Sequence, residues 1–573
     1  MNEQEIVKAA ERVILKHQEF AIESRVIRGV QYNVFKNAPC CLNDLLKQSV
    51  SMFGERDLLV RGEERLSYHA FQGRVTALAA AITSCLGVRQ GDRVAIAMRN
   101  RNEYPIAAMA IAAIGAVVVH LNAWWTSEEL DYALTDCGAN VIFADPERAA
   151  RLASCRRFPG LDIILTDAEN DNDLTVGFLI SVGDKLQCPK EATDPDQDVS
   201  IIYTSGSTGL PKGVVLTHRN IISAIWSWKM IGPTREELKA TAPNEQGTLE
   251  PPQPANLVTV PFFHVSGMNT CVLMTLAIGG KAVILDKWDA ERAADLIAQE
   301  KITRFWGVPT MTADLLSLNE KGKQRLATLT SLDAGGAKRP PEQVRRITSR
   351  HPGIEPSTGY GMTETSGLGL RAAGSEYVEQ PDAAGYLLPP VQEMKVVDEH
   401  GAPLPIGEIG ELVLKSPAIM RGYLNQPEAT AEALNDGWLR TGDLVRIDES
   451  GMVFIVGRKK DIIIRGGENI SSLEVEAAVH EHPFVLEACA FSVPDERLGE
   501  IVGVAIHCLV GQQLDLGSLR DFLGARIAQF KLPERLWHFD SPLDRGATEK
   551  INKRAVRSVC LDQIGFDSDV EQT

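Results

Sequence analysis

The apolar run Val199-Ser200-Ile201-Ile202-Tyr203 passes without a break into Thr204-Ser205-Gly206-Ser207-Thr208-Gly209-Leu210-Pro211-Lys212-Gly213. This reads as a buried strand that opens into a loop rich in glycines and hydroxyls. Glycines can turn backbone N–H groups toward an anion, because they tolerate positive φ and carry no side chain. The hydroxyls add donors and Lys212 adds a positive charge, so the loop suits a polyphosphate. Pro211 stands where the Gly-x-x-x-x-Gly-Lys-Ser/Thr loop needs a glycine, which excludes that alternative.

The strand belongs to a repeating texture. Between about residues 50 and 380, helical patterns alternate with short β-branched runs such as Val94-Ala95-Ile96, Val141-Ile142-Phe143, Ile163-Ile164-Leu165, Val258-Thr259-Val260 and Ala282-Val283-Ile284-Leu285. Such alternation predicts α/β layers with mostly parallel sheets. The apolar stretch from Ile106 to Val119 is too short to span a bilayer. It reads as a buried helix that breaks at Gly115 and continues as the strand Ala116-Val117-Val118-Val119.

Beyond about residue 385 the texture becomes one of hairpins, with Met394–Asp398, Gly410–Leu414, Leu444–Ile447 and Met452–Val456 as candidate strands of a small β-barrel or meander. The domain reading is an N-terminal domain over residues 1–459, its barrel-like part at about 385–457, and a small mobile α+β domain over 460–573. Ser471 and Glu474 have the spacing of a capping box at a helix start.

The net charge of −17 argues against a nucleic-acid or anionic-membrane surface. Ten cysteines are scattered with no Cys-x-x-Cys pair, which predicts free thiols in a reducing compartment. The acidic start, Met1-Asn2-Glu3-Gln4-Glu5, lacks a secretory apolar region, so the expected location is cytoplasmic.

Five further constellations carry chemistry. In Ser357-Thr358-Gly359-Tyr360-Gly361-Met362-Thr363-Glu364-Thr365, the Tyr360 ring could stack on a base, Thr363 could donate to phosphate, and Glu364 could hold Mg²⁺. Alone, the same letters also fit a glycine-rich turn. Trp438-Leu439-Arg440-Thr441-Gly442-Asp443-Leu444 places Asp443 after what reads as a tight glycine turn, where a carboxylate can accept ribose hydroxyls. Gly335-Gly336-Ala337 follows an apolar segment. His264 lies in Pro261-Phe262-Phe263-His264-Val265, where a satisfied structural histidine is the competing reading. Last come Gly457-Arg458-Lys459-Lys460-Asp461, Gly466-Gly467 and, near the end, Thr548-Glu549-Lys550-Ile551. Gly367-Leu368-Gly369-Leu370-Arg371-Ala372 fits a loose dinucleotide fingerprint but opens no βαβ unit, and is set aside.

These motifs, in this order, closely resemble those of the adenylate-forming (AMP-binding) enzyme superfamily, of the acyl-CoA synthetase or fatty-acid–CoA ligase type. The resemblance covers about residues 50–555. It implies an α/β fold with a large N-terminal domain of two layered sheets plus a small barrel, and a mobile C-terminal lid. It also implies an acid–thiol ligase that uses ATP, Mg²⁺ and coenzyme A, in which a carboxylate becomes acyl-AMP with release of pyrophosphate before transfer to the thiol.

By the same resemblance, Thr204 to Gly209 and Lys212 hold the β- and γ-phosphates. Gly335, Gly336, Ala337, Tyr360, Gly361 and Met362 pass along the adenine, and Asp443 and Arg458 hold the ribose side. Glu364 is the metal ligand. Lys550, Thr363, Glu364 and His264 are the catalytic set, Lys460 is the hinge, and Gly466-Gly467 lines a pantetheine tunnel. Glu549 departs from the family, which has glycine there.

The neighbourhood of His264 lacks the aspartate expected of an amino-acid site. Trp306 and Met311 make the pocket wall apolar, while Gly335 and Gly359 leave it space. The favoured substrate is a medium- or long-chain fatty acid, which places the enzyme in fatty-acid metabolism. An aryl or alicyclic acid is the alternative. A non-catalytic nucleotide binder and an adenylate enzyme with a non-CoA acceptor are the other readings. Expected partners are these small molecules alone, and monomer and homodimer both stay open.

Overall fold

The computed structural model describes residues 2–153, 161–168, 173–187, 194–204, 211–239, 252–336, 339–466, 468–546 and 550–565. Among them the strands form five sheets. Ser205 to Gly209, Ala337, Gly467 and Glu549, all singled out above, lie outside the described residues.

The first large sheet has seven strands, and its parallel centre runs Asp198–Thr204, Val117–His120, Arg93–Ala97, Val141–Ala144, Asp162–Leu165. The second has nine, with the parallel series Glu355–Gly361, Ser331–Gly335, Arg304–Gly307, Ala255–Val258, Lys281–Ile284, Asp57–Arg61. One apolar core holds residues of both sheets, such as Ile96 and Val118 of the first and Leu59 and Val258 of the second. Helices Tyr68–Cys85 and Glu103–Ala113 contribute to the same core. The alanine-rich second helix has ten buried residues and no solvent face, which is why its sequence reads as a continuous apolar run. Gly115 at φ +76 turns the chain into strand Val117–His120, as the sequence predicts.

A five-stranded antiparallel sheet spans residues 393–458, and a mixed five-stranded sheet spanning 462–539, in which Arg535–Phe539 runs parallel to Gly499–Cys508, carries its own apolar core of Ile463, Val475, Val504 and Leu519. Helix Ser472–His480 begins as expected at Ser471, whose hydroxyl accepts from Glu474 N at 3.2 Å. The capping box itself does not form. The Glu474 carboxylate turns away to Lys531 at 2.6 Å, and Ser471 donates to the Val456 carbonyl. No described helix is long and apolar enough to cross a membrane.

Candidate functional site

Both large sheets deliver their strand ends to one region. Asp198–Thr204 pairs with Lys212–Thr217 as an antiparallel hairpin, with Thr204 opposite Lys212. The residues that close this hairpin are those outside the description, so what is placed is its base. Next to it, Tyr423 pairs with Val214. The Lys212 ammonium lies 5.2 Å from the Tyr423 ring centroid, and the Tyr423 hydroxyl donates to Glu364 Oε1 at 2.9 Å.

Glu364 sits in a short helical turn, Thr363–Thr365, and is 7 % exposed. Loss of solvent pushes its carboxyl above the usual range, against the pull of its own backbone, Tyr423, Arg458 and Lys212. A buried carboxyl with a neutral partner on one oxygen fits the role of the single protein carboxylate that Mg²⁺ takes alongside phosphate oxygens. Tyr423 carries no motif, and only its strand pairing reveals it.

The segment Glu355–Gly361 is a strand rather than a glycine-rich turn. Its Tyr360 hydroxyl donates to Asp443 Oδ2 at 2.7 Å. Asp443 is also not in a hairpin turn. It lies within the continuous strand Trp438–Ile447, where the pairing slips between Glu411 and Val413 and Gly442 adopts φ +72. Gly442 therefore forms a bulge, which re-aims the next side chain out of the regular alternation. Buried Glu411 braces the bulge, accepting from Gly442 N at 3.2 Å and from Arg440 at 2.7 Å. The Arg458 Nε donates to Asp443 Oδ1 at 3.1 Å from the opposite register position of the neighbouring strand. Both oxygens of this nearly fully buried carboxylate are thus engaged.

Lys550 reaches into the same region from the C-terminal part of the chain. Gly336 stands at φ +79, and a Cβ placed there would lie 3.0 Å from Lys550 Cε and 3.4 Å from Nζ. The ammonium is pushed down to about 8, first by desolvation and then by Arg458, with Asp443 opposing. His264 is pushed down to about 3 by burial and by Lys550, and its imidazole is neutral at working pH. Just after it, residues Ser266–Leu273 form a π-helix against the nine-stranded sheet. Gly361 cannot carry a side chain, because a Cβ there would collide with the Gly367 carbonyl.

Lys460 is exposed in the turn Lys459–Asp461, directly after Arg458. Gly466 occupies a hairpin turn at φ +57, with its N–H donating to the Leu498 carbonyl at 2.8 Å. Its described contacts stay within the C-terminal sheet.

The pocket wall differs from expectation at one point. The space above Gly335 and Gly359 is filled by the indole of Trp306. A Cβ at Gly335 would collide with that ring, and one at Gly359 would lie 3.0 Å from it. The two glycines make room for Trp306 and leave none for a substrate at that spot. The discarded Gly367–Ala372 fingerprint forms an antiparallel strand, Gly369–Ala373, beside Glu355–Gly361.

Residues 46–424 match the AMP-binding enzyme family, and residues 474–550 match the AMP-binding enzyme C-terminal domain. A feruloyl-CoA synthase of an Amycolatopsis species is 35 % identical over 503 residues, covering 87 % of this chain and 94 % of that protein. A long-chain-fatty-acid–CoA ligase of Bacillus subtilis is 30 % identical over 540 residues, with 90 % and 93 % covered. ATP-bound MatB from Rhodopseudomonas palustris shares the fold with a TM-score of 0.78 at 26 % identity, over 91 % of this chain and 99 % of that one. The chain belongs to the AMP-binding enzyme family and is an ATP-dependent acid–thiol ligase that forms CoA thioesters.

Proposed function

We propose that the acid activated by this ligase is a compact one, an aryl or alicyclic acid, in preference to a medium- or long-chain fatty acid. The observation that carries this reading is Trp306. Its indole covers the floor at Gly335 and Gly359, so a long chain has no straight path inward along the sheet. The two curated relatives point in different directions: the feruloyl-CoA synthase acts on an aryl acyl group, the Bacillus subtilis enzyme on long chains. The indole favours the first. A screen of CoA-dependent AMP release tests it. The wild type is expected to turn over cinnamate and cyclohexanecarboxylate faster than palmitate, and Trp306→Ala to gain on palmitate by about tenfold as the pocket lengthens. A wild type that prefers palmitate sinks the reading.

In the reaction so proposed, the hairpin at 204–212 holds the β- and γ-phosphates that leave as pyrophosphate. Asp443 exchanges its bonds to Tyr360 and Arg458 for the ribose hydroxyls. Glu364 is the residue that would hold Mg²⁺, which neutralises phosphate charge when bound. Lys550 and Thr363 stabilise the charge that builds as the carboxylate attacks the α-phosphate, by placement and not by proton transfer. Neutral His264 gates the acyl site. For the second half-reaction the C-terminal part rotates about Lys460, withdrawing Lys550 and bringing Gly466-Gly467 to the thiol.

A pH dependence follows from Lys550, which works as an ammonium. Adenylation is expected to fall as pH rises through about 8, while thiol transfer from a supplied acyl adenylate keeps its rate over the same interval. Separate pH profiles of the two half-reactions check this. Parallel profiles would remove Lys550 as the titrating group.

A further inference from the structure

The face of the nine-stranded sheet that carries Trp306 is unusually rich in charge. Alternate residues of a strand share a face. The register therefore aligns Asn256 with Arg304, Trp306 with Asp333, Ser357 with Asp333, Gly335 with Gly359, and Gly359 with Arg371. Helix His218–Lys239 packs on this face through Arg235, whose Nη1 donates to Glu355 Oε1 at 2.7 Å. The π-helix does so through Cys271, which meets Asn256.

The two carboxylates of this nest are already engaged. Asp333 accepts from Arg304, Ser357 and Ser331, the last at 2.9 Å. Glu355 takes both ends of Arg235. Arg371 has only a distant approach to Glu355, at 3.9 Å. Three guanidinium groups thus face two carboxylates; Arg304 reaches Asp333 through its Nε alone, and among the described residues the Arg371 guanidinium has no partner nearer than that approach to Glu355.

Arg371 and Arg304 lie beneath two helices yet keep 18 % and 34 % of their side-chain exposure. A deep but reachable cation is what the end of a cleft provides. Lys550 marks the reacting end of that cleft at Gly336, one residue past Gly335. Arg371 is level with Gly335 and Gly359 and lies two strands to the side of Gly335, about 10 Å across the sheet. A ring and the Arg371 side chain together span that distance.

We propose that Arg371 is a specificity-determining residue, and that the acid carries an acceptor oxygen (hydroxyl, carbonyl or second carboxylate) at the end remote from the reacting carboxyl. The proposal rests on the compact-acid reading. The Arg371 guanidinium donates to that oxygen while the ring lies against Trp306. Buried donors left unpaired reject an analogue that lacks the oxygen, because its binding strips their water without replacing it.

The test compares cinnamate, 4-hydroxycinnamate and 4-carboxycinnamate in CoA-dependent AMP release by the full chain. The expected kcat/KM of at least one oxygenated acid exceeds that of cinnamate by roughly tenfold to a hundredfold, mainly through KM. The hydroxy and carboxy arms identify which oxygen is taken. Arg371→Met is expected to collapse the ratio toward one, and Arg371→Lys to retain part of it. Unfolding temperature identifies a variant that fails to fold; the wild-type ratio and Arg371→Lys then decide the matter. A wild-type ratio of one, or a ratio unchanged in Arg371→Met, overturns the proposal and leaves the compact-acid reading standing. If palmitate is turned over and none of the three aryl acids is, both fall together.

Discussion

Lys550→Ala is expected to abolish acyl-adenylate formation while leaving thioester formation from a supplied acyl adenylate near its original rate. The loss should be about a thousandfold, at the upper end of what removing one preorganised charge-stabilising donor costs. The reason is local. Lys550 is the cation that meets Gly336, and its charge is already strained by burial and by Arg458. In the proposed reaction, alanine removes the group that bridges carboxylate and α-phosphate. ATP–pyrophosphate exchange reads the first step and CoA-dependent release of AMP from the adenylate reads the second. Equal loss in both would refute the division of labour between them.

The second large effect is expected at Asp443. Asp443→Ala should raise the KM for ATP and lower kcat/KM by roughly a hundredfold, close to 3 kcal/mol, the scale for losing charge-assisted hydrogen bonds from a buried carboxylate. Part of that loss comes from Arg458, left without its 3.1 Å partner, and from Tyr360, left without an acceptor. Direct ATP binding by calorimetry separates the two contributions from catalysis. Unchanged affinity would mean that Asp443 serves the fold and not the nucleotide.

The layered fold was legible because parallel strands buried on both faces leave unbroken β-branched runs, such as the one before Thr204. The bulge at Gly442 was not. A glycine at positive φ looks the same in a turn and inside a strand, and the brace that distinguishes them, Glu411, lies far away in sequence. Tyr423 escaped notice for a similar reason, since its tie to Glu364 follows from sheet pairing alone. Gly335 and Gly359 read as small positions that leave space for the acid. What fills the vacated space is decided by Trp306 on a third strand, which no local pattern reports. Arg371 lay inside a fingerprint that was rightly rejected for its stated purpose, and its charged neighbours Arg304, Asp333, Glu355 and Arg235 come from three other strands and a helix.

Gly336 has a consequence for timing. In the proposed cycle the same lid must dock Lys550 for one step and release it for the next. The bare α-carbon at Gly336 acts as a notch of fixed depth for the lysine stem. A shallower notch would hold the docked state more weakly and shorten the interval available for adenylation. Under that proposal, one missing methyl group would bias how the enzyme divides its working time between activating the acid and handing it on.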